Sequence, residues 1–202
     1  MKKLLLFSVL AFFFIAATEP KSIEKKERKF ARDFLKDTKT DLVKTVKGLS
    51  QAQLSFHSAP DRWSVEDCMK HIAAAEMGLR RMLDGILKQP ATPEKRAEIN
   101  VSDEDLIKMV EDRTHKAQAP EQLRPENTTF KTAEEALTSF KENRDKLSDF
   151  VKNTQDDLRN HIAELPFGKI DAYQMVLFIS AHSNRHTQQI KEVMADPNFP
   201  KQ

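Results

Sequence analysis

Apolar residues recur at intervals of three and four over long stretches of this chain. That spacing gathers them on one face of an α-helix and would scatter them over both faces of a strand. From about Ser22 to Leu49, the series Phe30, Phe34, Thr38, Leu42, Val46 and Leu49 reads as one stripe of a long amphipathic helix. A second helix opens at Ser64, after Trp63. Ser64 and Asp67 have the spacing of a capping box, Cys68, Ile72, Ala75, Leu79, Met82 and Ile86 are read as facing inward, and the helix ends before Pro90. A third long helix opens at Thr132, paired with Glu135 in the same way, and carries Ala136, Phe140, Leu147, Phe150 and Val151 before fading near Asp157. After a turn at Leu165-Pro166-Phe167-Gly168, the last helix runs from about Asp171 to Met194, and Pro197 stops it.

Residues 90–131 read differently. Pro90, Pro93, Pro120 and Pro125 punctuate a polar stretch whose one good helix is short and opens at Ser102, the pattern of a long crossover. Four long amphipathic helices bury their stripes against one another, so the expected fold is all-α: a four-helix bundle with a long crossover carrying a short extra helix. A scarcity of glycine, 4 in 202 residues, argues the same way, and the length suits one domain, placed at 22–196. Periodicity leaves the order of the helices in space open.

The first residues are read separately. Met1-Lys2-Lys3, the apolar run from Leu4 to Ile15 and the small residues Ala16-Ala17 have the layout of an export signal cleaved near Ala17, so residues 1–17 are assigned as a signal peptide. The apolar run is shorter than the ~20 residues that span a bilayer, so no stable membrane span is expected after cleavage. Cleavage would bring Lys and Arg from 33 to 31 against 31 Asp and Glu. Acids and bases are interleaved, as in Lys25-Lys26-Glu27-Arg28, which gives nucleic-acid binding no electrostatic support. The sole cysteine, Cys68, has no partner for an internal disulfide, and with no basic neighbour it reads as a small buried apolar residue.

Six histidines occur, and two of them, His182 and His186, stand four apart on the last helix. Residues at that spacing lie ~40° apart around the axis and one turn along it, so both imidazoles can reach one ion. They continue the stripe of Met175, Ile179 and Ile190 or Val193, which places them at the inner face, where unpartnered imidazoles cost stability. The second helix offers a third, His71, among Cys68, Ile72 and Ala75. Three inward histidines from two helices make an open divalent metal site, with water or substrate completing the coordination.

Trp63-Ser64-Val65 leading to His71-Ile72 and Glu76, then Pro166-Phe167-Gly168, then His182-x-x-Arg185-His186-x-x-Gln189-Ile190 together resemble the DinB-like superfamily of metal-binding helical bundles. The resemblance covers essentially the whole chain after the signal, and its specific part lies at the two ends. It implies a bundle whose His71, His182 and His186 bind nickel, zinc or a similar divalent ion. It also brings in relatives that are transferases and isomerases using low-molecular-weight thiols such as bacillithiol or mycothiol. Those thiol-using relatives are cytoplasmic, whereas this chain carries an export pattern.

Around the triad, Gln189 lies on the face of His182 and His186, where it either bonds a ligand imidazole or bound water or faces solvent. Asp67, one turn before His71, could orient that ring, although its place in the cap already explains it. Arg185 points to another side and suits an ion pair with a neighbouring helix. Glu76 is ~140° around the helix from His71 and is not expected at the metal. Trp63 reads as a lid over the core, and His57, His115 and His161 are assigned no role.

The sequence therefore supports an exported metal-dependent enzyme, periplasmic or secreted, acting on a small molecule as a hydrolase or as a transferase of a thiol or other nucleophile. The rival reading is a non-catalytic bundle that holds a metal or small ligand, and a third is a bundle with no metal. A second copy of the chain, in a homodimer, is the macromolecular partner the reading allows for. The export reading predicts that protein recovered from its native source begins shortly after Ala17 and lies outside the cytoplasm. Intact-mass spectrometry checks it, and a soluble cytoplasmic form retaining Met1 would refute it.

Overall fold

The computed structural model describes residues 23–115 and 118–201, so the export signal assigned to residues 1–17 lies outside them. Four long helices form the body: α1 (Lys25–Val46), α3 (Val65–Leu87), α5 (Ala133–Asn153) and α6 (Ala172–Met194). A one-turn helix, α2 (Gln51–Leu54), lies between the first two, and α4 (Asp103–Glu111) lies in the crossover. The all-α bundle expected from the periodicity is the fold observed. Around its axis the order is α1, α5, α3, α6, with α4 packed on the outside of α6.

Local chemistry sets the boundaries. Ser64 caps α3 reciprocally: its Oγ accepts from the Asp67 N–H at 3.1 Å while Asp67 Oδ2 accepts from the Ser64 N–H at 3.0 Å. Asp171 and Gln174 form the same box at the start of α6. At Thr132 only half of the expected box exists, because the Glu135 carboxylate takes the N–H of Lys131 instead. The crossover is more structured than its prolines suggested, with 3-10 turns at Pro93–Glu98, Glu121–Leu123 and Pro125–Asn127. The turn at Pro166-Phe167 belongs to a two-stranded antiparallel hairpin, β1 (Ile162–Leu165) and β2 (Gly168–Asp171), in which Leu165 pairs with Gly168. Gly168 sits at φ +131°, a conformation that L side chains rarely adopt.

Two expected stripes need correcting. In α1, Phe30 is 49% exposed and stacks on Phe34, while Ala31 and Leu35 are buried together with Thr38, Leu42 and Val46. A series spaced strictly by four drifts ~40° per step, so Phe30 and Val46 cannot share a face. The buried set mixes steps of four and three and stays in register. In α3, Leu83 faces inward and Met82 is 43% exposed, because α3 touches both α5 and α6 and its buried face is wider than one stripe. Among the described residues no helix is long and apolar enough to cross a membrane.

The core divides into two apolar clusters. One includes Leu42, Val46, Val65, Cys68, Ile72, Phe140 and Ile190, and the other Leu35, Leu83, Leu106, Leu147, Val151, Tyr173 and Ile179. Along every long helix a buried polar residue separates them: Thr38 in α1, Glu76 in α3, Arg144 in α5, and Ser180 and Ser183 in α6. Arg144, 1% exposed, joins this layer. Its Nε and Nη2 donate to the two Glu76 oxygens at 2.7 and 2.8 Å, Nη2 also donates to Ser183 Oγ at 2.8 Å, and Nη1 donates to Thr38 Oγ1 at 2.6 Å and to the Leu35 carbonyl at 3.2 Å. Every guanidinium N–H has an acceptor, so the burial cost is offset as fully as geometry allows.

Removing one partner strands the other charge in the interior. Arg144→Ala is therefore expected to lower stability by ~3–5 kcal/mol, and joint replacement of Arg144 and Glu76 by apolar residues of similar volume should cost less than either single change. Urea unfolding of the three variants checks this, and a single change costing under ~1 kcal/mol would contradict it.

Candidate metal centre

The capped start of α3 fixes its rotation so that His71, two turns in, faces the interior with Cys68 and Ile72. On α6, His182 and His186 lie one turn apart and face His71 across the α3–α6 contact. The ring centroids are 4.4 Å apart for His71 and His186, 4.7 Å for His182 and His186 and 5.1 Å for His71 and His182. One nitrogen from each ring lies within 4.8 Å of the other two. His71 Nε2 and His182 Nε2 stand 3.3 Å apart, about the separation of two ligands held ~2.0–2.1 Å from one tetrahedral ion.

The outer nitrogens show which inner ones are free to ligate. His71 Nδ1 lies 2.8 Å from the Leu123 carbonyl, which can only accept, so Nδ1 carries the proton and the inward Nε2 has its lone pair. His186 Nδ1 lies 2.9 Å from Gln189 Oε1, and with that oxygen accepting, His186 has the same tautomer and its Nε2 is bare. The two residues thus have the second hydrogen bond that metal-binding imidazoles require.

The electrostatics agree with neutral donors. His71 is 3% exposed and His186 8%, while His182 keeps part of its surface open. Burial pushes all three imidazoles below their ordinary value of 6.5: His71 with some compensation from its Leu123 bond, His182 down to about 3 with further repulsion from His71 and Arg185, and His186 well below with repulsion from His182 and His71. Two aromatic groups flank the rings. Trp63 packs on His71 and His186 at 4.9 and 5.9 Å, and Phe178 stacks on His182 at 6.2 Å, itself covered by Phe167 of the hairpin tip at 5.6 Å. Trp63 also lines a cleft of about 330 Å³ with His57, Asp61, Arg62 and Lys70.

The triad read from the sequence converges, and among the described residues no cysteine or carboxylate joins it as a fourth ligand. Gln189 bonds a triad imidazole rather than facing solvent. Asp67 does not: its carboxylate is engaged with the N–H and hydroxyl of Ser64 and lies 3.7 Å from His57 Nε2, and His71 takes its acceptor from Leu123. Among the described residues Arg185 forms no ion pair of the expected kind and donates instead to the carbonyls of Val110, Asp112 and His115, at and beyond the end of α4. Glu76 stays away from the triad, bound to Arg144. Cys68 is fully buried, and burial pushes its thiol up, far from thiolate character. Periodicity could have found Phe178, one turn before His182. No sequence signal marks the Leu123 carbonyl.

Comparison with known proteins agrees with the fold. The sequence pattern described as the DinB superfamily matches residues 35–190, which include all three histidines. A protein of Bacillus subtilis strain 168 described as uncharacterized protein YuaE is 24% identical over 149 residues, covering 73% of this chain and 87% of the relative. The solved structure of YfiT from Bacillus subtilis, described as a probable metal-dependent hydrolase with an unusual four-helix bundle topology, superposes with a TM-score of 0.59 at 16% identity and covers 92% of this chain and 97% of its own.

Depressed imidazole pKa values make the protein sensitive to acid. In the unfolded chain these histidines take up protons below ~6.5, while in the folded protein they resist until well below it, so between those limits the unfolded state binds more protons and stability falls as pH falls. Chelator-treated protein should lose urea resistance from about pH 7 to about pH 5, and His182→Ala should flatten that dependence. Parallel slopes for the two proteins would show that the triad does not titrate in this way.

Proposed function

The chain belongs to the DinB superfamily, and from that premise we propose that it is a metal-dependent hydrolase of a small molecule, its ion held by His71, His182 and His186. The observation that carries this reading is three imidazoles with a nitrogen of each within 4.8 Å of the others, in which His71 and His186 each have Nδ1 engaged by an acceptor and Nε2 left free. Zinc and nickel both suit an imidazole donor set. A divalent ion held there would supply Lewis acidity, the property that lowers the pKa of water toward neutral pH and polarises a bound carbonyl.

The chain's own residues supply the rest. Their low proton affinity keeps the three imidazoles neutral and ready to ligate at pH 7. Leu123 and Gln189 orient two of them, and Trp63 and Phe178 exclude water on two sides. The neighbouring carboxylates of Glu76 and Asp67 are committed to Arg144 and Ser64, and burial holds the Cys68 thiol in its protonated form, so the described residues offer no free carboxylate base or thiolate nucleophile at the triad. Water is therefore the simplest nucleophile, which favours hydrolysis over transfer. The description of YfiT as a probable metal-dependent hydrolase supports the same choice. Three protein ligands also favour an open, reactive centre over a closed structural one. The Lys2-Lys3 and Leu4–Ile15 pattern supports action outside the cytoplasm, where a cytosolic thiol would not be at hand.

Protein purified without an affinity tag is expected to carry a divalent ion and, once loaded, to hydrolyse at least one member of an ester and amide panel. His186→Ala should lose both ion and turnover while keeping its helical circular dichroism. Turnover persisting in metal-free His186→Ala would overturn the mechanism, and unfolding of the whole protein on chelation would assign the ion a structural role instead.

A further inference from the structure

We infer that Arg113, in the segment leaving α4, is a positioning residue for this centre, fixing the proton of His186 through the side-chain amide of Gln189. The inference rests on the metal-site reading above and concerns a residue far from the histidine motifs in sequence.

A glutamine amide can present either end to an imidazole. If its NH₂ faced His186, Nδ1 would have to accept, the proton would move to Nε2, and the inward nitrogen could not ligate. His186 alone does not decide between the two. Arg113 does: its Nη1 lies 3.4 Å from Gln189 Oε1, and a guanidinium can only donate. An NH₂ group in that position would meet the Arg113 donor head-on, so the oxygen is held there, it accepts from both Arg113 and His186, and His186 keeps its proton on Nδ1.

Arg113 is itself well held. Its Nε and Nη2 donate to the two Glu192 oxygens at 3.1 and 2.7 Å, one turn along α6 from Gln189. Arg185 reaches the other way, from α6 to the carbonyls of Val110, Asp112 and His115. Two arginines running in opposite directions thus pin residues 110–115 to the helix that carries the metal ligands. The Arg113–Glu192 pair is partly exposed, and such pairs contribute little to folding stability, so a purely structural role would leave little trace when Arg113 is replaced.

The test uses the full chain with zinc as probe, comparing wild type, Arg113→Met, Gln189→Glu and the double variant. A carboxylate at position 189 accepts whichever way it turns, so it holds the Nδ1 proton without help from Arg113. Arg113→Met should weaken zinc binding ~10–100-fold and leave the urea midpoint nearly unchanged. The same change in the Gln189→Glu background should cost almost nothing. Nitrogen-15 spectra of chelator-treated protein should show one His186 tautomer in wild type and a mixture in Arg113→Met, and this readout needs no metal. Equal zinc loss in both backgrounds, or an unchanged tautomer in Arg113→Met, would overturn the inference. Wild type that binds no zinc would instead refute the metal reading, with the tautomer spectra still deciding the role of Arg113. If Arg113→Met fails to fold, Arg113→Lys, which keeps a donor, should retain wild-type affinity, and a loss there would count against the inference.

Discussion

A buried guanidinium joined to a buried carboxylate holds the four long helices in one register. Arg144 of α5 reaches Glu76 on α3, Thr38 and the Leu35 carbonyl on α1 and Ser183 on α6, so all four helices meet in one set of hydrogen bonds. Apolar stripes tolerate sliding by a turn, since one leucine can replace another in a groove, but a charge pair with every donor committed does not. Glu76 is five residues beyond His71 on α3, and Ser183 is next to His182 on α6. Fixing Glu76 against Ser183 therefore fixes where His71 meets His182 and His186.

That polar layer lies between the two apolar clusters, so apolar packing on either side encloses a polar middle. The clusters supply the favourable burial, while the layer makes the arrangement specific and places a metal-capable group beside it. The crossover completes the centre from outside. Its Leu123 carbonyl accepts from the His71 Nδ1–H, and Arg113 acts behind His186, so two of the three imidazoles depend for their tautomer on the segment that periodicity leaves as a connection.

The sequence showed those parts of the molecule that repeat or cap. Ser64 with Asp67, Asp171 before the last helix and the apolar steps of three and four placed the long helices, and the two histidines four apart, with His71 among core residues, placed the triad. What it hid has physical causes. Phe30 and Met82 look as apolar as their buried neighbours, and only the position of the adjoining helices decides which are covered. The hairpin at 162–171 is too short for a period of two to register. Arg144 interrupts its stripe between Phe140 and Leu147, and an inward charge there could have been matched with Glu76, the opposite charge on another stripe. The Leu123 carbonyl could not have been found, because a backbone acceptor leaves no trace in residue identity.

The three histidines are not equivalent, and the difference bears on how the centre loads. His71 and His186 have their protons held outside by fixed acceptors, whereas among the described residues nothing accepts from His182 Nδ1. Two facing nitrogens 3.3 Å apart accommodate either a proton between them or an ion beside both. Since His71 Nε2 is bare in either case, the two arrangements differ only at His182: with a proton between the rings it sits on His182 Nε2, and with an ion it must sit on His182 Nδ1. Loading with an ion would then require one tautomer change, at the imidazole that keeps contact with solvent, where water can carry the proton from one nitrogen to the other. The two buried imidazoles would need no rearrangement, so the bundle presents a largely preorganised pair and would leave the adjustment to the one imidazole able to make it cheaply.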